Sequence, residues 1–423
     1  MLSFFMPDRT EPFARLRYAN LLLFGLMPAA LLLARGAAEV IMAVIGLSFL
    51  WVTIAERRWN NLTERTIAIL LVTWLLLNLV ISPLALEPMV SYSRSLLWLR
   101  FVIFFAAAST WLLRSRKDLR ILLVLWSVTL ALAMLDGYVQ FATGTSLSGN
   151  VMQTARLTGP LDRPNIGIFT ARIGFPLLGM AFLLVGSRRL QTGRLLAITG
   201  FAVIAFVFII LTGERTAAVL TMMSVIAGAA IVVLLVPGWR LYGFMLAAAV
   251  PAGLLGLFAL SRDVQIRVSQ FWQDVSHFWS SPYGKIYHAA FEIWKHNPVT
   301  GAGLKGFQNA CETQLPSAMD GACYPHAHNI YLEWLSESGL LGLACFLLFV
   351  AVLAFLVLRL VMTRPDRRLI GAALCGGLIV TLFPVAATQS FFSNWPAMLA
   401  WTTLSAVAGI THIAQKDAPD RPA

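Results

Sequence analysis

The stretch Tyr324-Pro-His-Ala-His-Asn-Ile-Tyr-Leu-Glu-Trp334 marks the boundary between two kinds of sequence. A long polar segment, residues 261–329, ends there, and an apolar run then extends from Ile330 to about Leu358. A run of that length is typical of a helix that crosses a bilayer. We therefore predict a membrane helix with His326 and His328 at its mouth. A titratable imidazole in this position is a candidate general base.

The same apolar character extends along the chain. Of its 423 residues, 58% are hydrophobic and only 12% are charged, which is more apolar surface than a soluble domain can bury. The predicted fold is an all-α polytopic membrane protein of about twelve transmembrane helices. The apolar runs fall at about 18–34, 37–55, 66–86, 95–113, 119–142, 165–186, 195–212, 215–236, 240–260, 330–358, 367–388 and 394–413.

Basic residues predict the orientation. An even number of spans places both termini on one side, and the polar N-terminal segment without a cleavage site indicates a retained first span. With a cytoplasmic N-terminus, 20 of the 32 lysines and arginines fall on the cytoplasmic side, mostly in short loops, as the positive-inside rule requires. The net charge of +12 is therefore partly a topology signal and needs no nucleic acid to explain it.

Two connections are long, and both fall on the predicted outer side. The first covers residues 143–164, and the second covers residues 261–329 with amphipathic helices predicted at 262–279 and 283–296. The predicted organisation is nine spans in residues 1–260, a large loop at 261–329, three spans in residues 330–413 and a cytoplasmic tail at 414–423. Cys311 and Cys323 both lie in the large loop, where a disulfide and two free thiols are equally compatible with the sequence.

The outer side also carries unexpected positive charge. Arg215 lies in the tight turn Leu211-Thr-Gly-Glu-Arg-Thr216, Arg156 and Arg163 lie in the first long loop, and Arg267 and Lys305 lie in the second. The planar fork of arginine suits a phosphate, and several such groups neutralise a diphosphate without a metal. The alternative for Arg215 is an internal ion pair with Glu214 or Asp136. Arg35, Arg94 and Arg100 have an ordinary explanation as interface anchors.

Metal-dependent chemistry is not indicated. The outer segments contain no Asp-x-Asp pair, and His326 and His328 have no third ligand near them in sequence. Glu333 and Glu337 are one helical turn apart, a spacing that favours orienting neighbouring groups. The alternative for the histidines is a purely interfacial role, with Asn329 capping the following helix through its side chain and fixing the imidazole.

Four stretches resemble the bacterial O-antigen ligase and O-antigen polymerase superfamily. They are Arg156-x-x-Gly159 followed by Pro164-Asn165; Thr212-Gly-Glu-Arg-Thr216; Trp294-Lys-His-Asn-Pro-Val-Thr-Gly-Ala-Gly303; and His328-Asn-x-x-Leu-Glu333 followed by Glu337-Ser-Gly-Leu-Leu-Gly342. The resemblance covers residues 20–413. It implies a GT-C-like glycosyltransferase of the bacterial inner membrane, with a large periplasmic loop and an active site that faces the periplasm.

The resemblance also implies an activity. Such ligases move a glycan from undecaprenyl diphosphate to a sugar hydroxyl of the lipid A–core without metal, nucleotide or other cofactor. The family's histidine maps to His328 and its arginines to Arg215 and Arg156. Arg163, Arg267 and Lys305 are carried over by their position in the loops, and Asn165, Asn329, Glu333 and His326 are expected to bind substrate or support the site. His328 would deprotonate the acceptor while the arginines stabilise the leaving diphosphate, with inversion at the anomeric carbon.

Three alternatives remain open at this point. The polymerase and the protein O-oligosaccharyltransferase of the same superfamily differ in their acceptor, which the motifs do not encode. The oligosaccharyltransferase is usually longer and has an extra soluble region at its C-terminus. A lipid-linked glycan flippase would place its basic residues along a path between the leaflets, whereas these residues gather outside.

Overall fold

The computed structural model describes residues 12–154, 156–185, 192–260, 265–266, 269, 272–273, 275–315 and 321–416. Within these ranges the chain forms helices and connecting loops without a β-strand. The predicted all-α polytopic membrane fold is therefore confirmed. Nine of the described helices are long and apolar enough to cross a membrane, whereas the number of about twelve spans stays a prediction.

The long helices coincide with the predicted apolar runs. They are α1 (Ala14–Leu33), α2 (Arg35–Ala55), α3 (Arg65–Leu76, extended by tighter and wider turns to Leu84), α4 (Pro88–Ala106, extended to Leu112), α5 (Arg116–Thr143), α6 (Ile166–Val185), α7 (Thr192–Leu211), α8 (Arg215–Leu235), α9 (Arg240–Leu260), α12 (Ile330–Thr363), α13 (Arg368–Leu382) and α14 (Asn394–Lys416). Two shorter helices lie in the large loop, α10 (Pro282–His296) and α11 (Phe307–Gln314). Helix α10 confirms the second predicted amphipathic helix, while the first lies largely outside the described residues.

The helix bundle has two ends with different contacts. At the first, which we call the basic end, Arg17 pairs with Asp118 at 3.2 Å, so the start of α1 meets the start of α5. At the other, which we call the site end, the loop before α6 reaches the turn between α7 and α8, because the Leu157 N–H donates to the Thr212 carbonyl at 3.0 Å. The histidines and arginines singled out in the sequence, where described, lie in segments at the site end.

Helix α12 is broken near its start. Gly339 has φ 63° and ψ −165°, which no helix contains, so the helix changes course there. The backbone groups freed by the break are bonded to residues 297–306, which we call the glycine loop: Ala302 donates to the Ser336 carbonyl at 2.8 Å, and Leu340 donates to the Pro298 carbonyl at 2.9 Å. A side chain at Gly339 would collide with the glycine-loop backbone. The break is therefore tolerated because protein, not lipid, satisfies it.

One span ends earlier than predicted. The apolar run at 367–388 was expected to be helical throughout, but α13 ends at Leu382. Phe383 adopts an extended conformation with ψ 125°, as residues before a proline prefer, and Pro384 follows it. Residues 383–393 instead form a non-helical connection, which we call the crossing loop. Gln389 consequently lies in a loop and not in a helix.

A disulfide closes a short segment near the end of the large loop. Cys311 in α11 and Cys323 form a disulfide, with their Cα atoms 5.3 Å apart. Of the two possibilities that the sequence left open, the structure has the bridge. It ties α11 to the segment that immediately precedes His326, so both are held close to the start of α12.

Candidate active site

The backbone at His328 is held in an unusual conformation. Its φ is 52°, in the left-handed region that few residues other than glycine adopt, although histidine, asparagine and aspartate do so more often than most. The His328 carbonyl accepts a 2.7 Å hydrogen bond from the Thr388 N–H of the crossing loop. Asn329 follows as the helix cap: its side-chain oxygen accepts from the N–H groups of Tyr331 at 2.9 Å and Leu332 at 3.1 Å, as predicted. The cap and the crossing loop together fix this conformation.

Aromatic rings surround the histidine. The ring centroids of His326 and His328 are 4.1 Å apart, and Tyr283 and Tyr324 present their rings to His328 nearly at right angles. Burial lowers the pKa of His328 below its ordinary value, opposed by a hydrogen bond with the Thr388 backbone. Burial, with the charges of His328 and Lys305 adding to it, lowers the pKa of His326 to about 3. Both imidazoles are therefore neutral at pH 7, the form in which an imidazole accepts a proton.

Lys305 joins the glycine loop to the crossing loop. It also has a left-handed backbone, with φ 64°. Its Nζ donates to Ser393 Oγ at 3.0 Å and to Ser390 Oγ at 3.3 Å. Its backbone N–H donates to a carboxylate oxygen of Glu337 at 2.7 Å, and Glu337 is fully buried in α12. The serine hydroxyls thus hold the Lys305 ammonium group near His326, while the Glu337 carboxylate holds the Lys305 backbone.

Glu333 performs the equivalent role for the crossing loop. Its side chain is 1% exposed, and one carboxylate oxygen accepts from the Phe391 N–H at 2.7 Å. Glu333 and Glu337, one turn apart on α12, therefore each orient the backbone of a different loop. This is the arrangement that their sequence spacing favoured over metal binding.

The arginines lie beside the start of α6. Glu214, the residue before α8, turns its carboxylate toward the first turn of α6 and accepts hydrogen bonds from the N–H groups of Gly167 and, at 3.2 Å, Ile168. It therefore occupies the N-terminus of α6, which favours negative charge. Arg215 is the next residue, and it is half-buried as the first residue of α8.

Arg156 lies close enough to Glu214 for its charge to act on the Glu214 carboxylate. Burial raises the pKa of Glu214 to about 8, while the two N–H donors and the charges of Arg156 and Arg172 act in the opposite direction. Asp136, the other acid considered for Arg215, accepts from Ser148 Oγ at 3.1 Å and so fastens the first long loop. The side chain of Arg156 is exposed and forms no hydrogen bond or ion pair with the described residues.

The crossing loop joins the two sides of the site. Thr388 bonds to His328, and the next residue, Gln389, donates from Nε2 to Asn165 Oδ1 at 2.7 Å, directly before α6. Adjacent residues of one loop therefore hold the segment of the histidines and the segment of the arginines. Neither Thr388 nor Ser390 was singled out from the sequence. The available signal was a cluster of hydroxyl and amide side chains after Pro384, at the end of an apolar run.

The two remaining predicted residues, Arg163 and Arg267, have no described side-chain hydrogen bond with the rest of the site. Arg163 is exposed, and its side chain forms no hydrogen bond or ion pair with the described part of the chain. Arg267 lies outside the described residues. The structure thus groups His326, His328, Asn329, Glu333 and Lys305 on one side, and Arg156, Arg215 and Asn165 on the other. The arrangement offers a neutral base and positively charged groups at one end of a membrane-spanning bundle.

Comparison with known proteins bears on the same region. Residues 200–347 match the family model described as O-antigen ligase, which confirms the superfamily resemblance seen in the motifs. The matched region contains Arg215, the glycine loop and the histidine pair, and it excludes Arg156, Asn165 and the crossing loop. No curated protein matches the chain.

Proposed function

We propose that this protein is a metal-independent, inverting glycosyltransferase that moves O-antigen polysaccharide from undecaprenyl diphosphate onto the lipid A–core. It would act at the periplasmic face of the bacterial inner membrane, with both termini in the cytoplasm, and complete lipopolysaccharide. The proposal rests above all on the crossing loop, because Thr388 and Gln389 connect a half-buried neutral histidine to the arginine side of the site.

His328 is the proposed general base. It removes the proton from the acceptor hydroxyl as the hydroxyl oxygen bonds to the anomeric carbon, and the bond from that carbon to the diphosphate oxygen breaks. General-base catalysis is most effective when the pKa of the base lies near the working pH. The pKa of His326, about 3, makes it the poorer base of the pair. His326 is therefore assigned a supporting role next to His328.

The positive groups receive the leaving group. Arg215 and Arg156 stabilise the charge that develops on the departing diphosphate, since charge-assisted hydrogen bonds from a guanidinium strengthen as that charge grows. Lys305, held by two serine hydroxyls, adds a point charge near His326. Asn165, Arg163 and Arg267 are assigned to the donor glycan or diphosphate, the last two by their position in the loops alone.

The acceptor decides between the superfamily activities, and it can be tested directly. The purified protein is reconstituted with undecaprenyl-diphosphate glycan and offered lipid A–core, a second lipid-linked glycan, or a pilin-type peptide. We expect transfer to lipid A–core alone. Elongation of the lipid-linked glycan would identify a polymerase, and glycosylation of the peptide would identify a protein O-oligosaccharyltransferase. Movement of donor between leaflets without bond formation would identify a flippase.

A further inference from the structure

A second group of positive charges lies at the site end, on α4. It surrounds a small pocket, open to the surface, that the mechanism above does not use. The residues that line this pocket come from one face of α4 and from the crossing loop with the start of α14: Arg94, Leu97, Trp98, Arg100, Phe101, Phe392 and Asn394. The sequence offered only an anchoring role for the two arginines.

Arg100 is oriented by neutral groups. Its Nη2 donates to Asn394 Oδ1 at 2.6 Å, and its guanidinium carbon lies 4.8 Å from the centre of the Phe101 ring. The amide nitrogen of Asn394 in turn donates to Glu39 at 2.7 Å, so the amide stands between the arginine and the acid. The Nε of Arg100 is buried and has no hydrogen-bond acceptor among the described residues. A donor of this kind is able to bind an acceptor from outside the chain, such as water or a phosphoryl oxygen.

Arg94 increases the positive charge of the pocket. Its side chain is exposed and forms no hydrogen bond or ion pair with the described residues. It lies close enough for its charge to act unfavourably on that of Arg100, although the favourable effect of Glu39 on Arg100 is larger. An anion between the two guanidinium groups would relieve this repulsion, and a phosphoryl group matches the fork geometry of arginine.

Exposed leucines on α4 beside the pocket indicate what kind of molecule carries the anion. Leu97 lines the pocket and is 55% exposed, and its neighbour Leu96 is 54% exposed. On a helix that crosses the membrane, exposed leucines face lipid tails. A phosphoryl group that approaches along this surface is therefore attached to a lipid.

We propose that the Arg94–Arg100 pocket binds the phosphoryl group of a lipid substrate, either the polyprenyl-linked donor or a phosphorylated acceptor glycolipid. This proposal rests on the proposed function for the identity of those lipids. Phe392 lines the pocket, while Phe391 beside it bonds to Glu333 and Ser393 bonds to Lys305. The pocket and the active site therefore share the crossing loop, so a lipid bound at one is placed next to the other.

The kinetic test uses the double variant Arg94→Gln/Arg100→Gln in the full-length protein. Its control is Arg65→Gln/Arg359→Gln, two exposed arginines at the basic end. We expect the double variant to raise KM for one lipid substrate about tenfold or more while kcat stays nearly constant, because charge-assisted bonds to the bound lipid are lost. The substrate whose KM rises is the occupant. Unchanged KM values for both substrates would overturn the proposal.

A binding test separates this proposal from the proposed function. Native mass spectrometry measures binding of undecaprenyl phosphate, a monophosphorylated glycolipid and phosphatidylglycerol to the wild type and the double variant. We expect the variant to lose affinity for one of the first two lipids and to bind phosphatidylglycerol as the wild type does. Equal losses of affinity for all three lipids, or no loss for any, would contradict the proposed binding site. Arg94 and Arg100 would then be simple interface anchors. This result holds even if no glycan transfer is found.

Discussion

The two ends of the helix bundle carry the same types of charged residue but hold them differently. At the basic end, the protein's own acceptors take up the arginines: Arg17 pairs with Asp118 at 3.2 Å, and Arg364 pairs with Asp366 at 3.3 Å. Arg368 likewise donates to the Leu235 carbonyl. These contacts hold helix ends and their connections together, so the positive charge there stabilises the fold.

At the site end, the described side chains of Arg94 and Arg156 form no ion pair with a described carboxylate, and Lys305 Nζ is held by serine hydroxyls. The described part of the site end also contains ion pairs, Arg35–Asp162 at 3.1 Å and Lys295–Glu292 at 2.7 Å. The nearby carboxylates of Glu214, Glu333 and Glu337 instead accept backbone N–H groups. The contrast teaches that the same residue types pair with acids and carbonyls between helix ends at one end, whereas at the other end the acids hold backbone N–H groups, as the proposed binding of an anionic ligand requires.

The largest effect is expected from His328→Asn. Asparagine tolerates a left-handed backbone, so the fold is kept while the base is lost. We expect transfer to fall about 10²- to 10⁴-fold, the contribution typical of general-base catalysis. The measurement is single-turnover transfer with purified donor and acceptor, and the exposed His296→Asn is the control. Near-normal transfer by His328→Asn would remove this residue from the mechanism.

Arg215→Lys tests whether geometry matters in addition to charge. Lysine keeps the charge but loses the planar fork, so we expect kcat to fall about tenfold to a hundredfold. Arg359→Lys at the basic end, an exposed position, should leave kcat unchanged. If the two variants have the same kcat, Arg215 is no more important for transfer than an exposed arginine at the basic end.

Lys305→Met tests the electrostatic support of the buried acids. Removing the ammonium removes its hydrogen bonds to Ser390 and Ser393 and the positive charge that acts on Glu333 and Glu337. We expect the variant to lose about 1 kcal/mol of stability, the net value typical of a hydrogen bond. Thermal unfolding in detergent measures the change, and adding Glu337→Gln should restore part of it. A Lys305→Met protein as stable as the wild type would contradict the arrangement.

Gln389→Leu tests the link across the crossing loop. It removes the hydrogen bond to Asn165, and we expect kcat to fall about fivefold, corresponding to the net value of one hydrogen bond. The control is Gln415→Leu, which removes a 3.1 Å bond from Gln415 to the Leu356 carbonyl at the basic end. If both substitutions affect kcat equally, the crossing loop does not position the site.

The smallest effect is expected in the pH dependence. Because burial lowers the pKa of His328, the neutral and active form persists below pH 6.5. The acidic limb of kcat/KM should therefore have its midpoint below the ordinary histidine value of about 6.5. The measurement is transfer at constant ionic strength between pH 5 and pH 8. A midpoint above 6.5 would indicate a base in a different environment.

The fold was largely predictable because hydrophobic length is a local signal. Most of the described long helices have nearly the predicted bounds, since about twenty apolar residues suffice to specify a span. Helix α4 begins seven residues before its predicted start, α12 ends five residues after its predicted end, and α13 ends early. The early end arose because the residues up to Thr388 are apolar enough to continue α13, while the conformation before Pro384 prevents it. Composition alone does not distinguish these two outcomes.

The site was predictable in part. Asn329 was expected to cap α12, because its position before an apolar run is a local pattern. The roles of Thr388 and Glu214 depend on contacts between segments far apart in the chain: Glu214 meets Gly167, and Thr388 meets His328. No sequence periodicity encodes such contacts. The disulfide between Cys311 and Cys323 was undecided for the same reason.

The break at Gly339 also concerns the thickness of the bilayer. Helix α12 contains 34 residues, and an unbroken helix of that length would extend about 51 Å, far beyond a hydrocarbon core of about 30 Å. The break divides it into a short segment that carries Glu333 and Glu337 and a longer one that reaches Thr363. The longer segment alone, from Leu340 to Thr363, extends about 36 Å, which is close to the thickness of the hydrocarbon core. Its first residues, Leu340 and Leu341, stay bonded to the glycine loop, so the span begins at a fixed point.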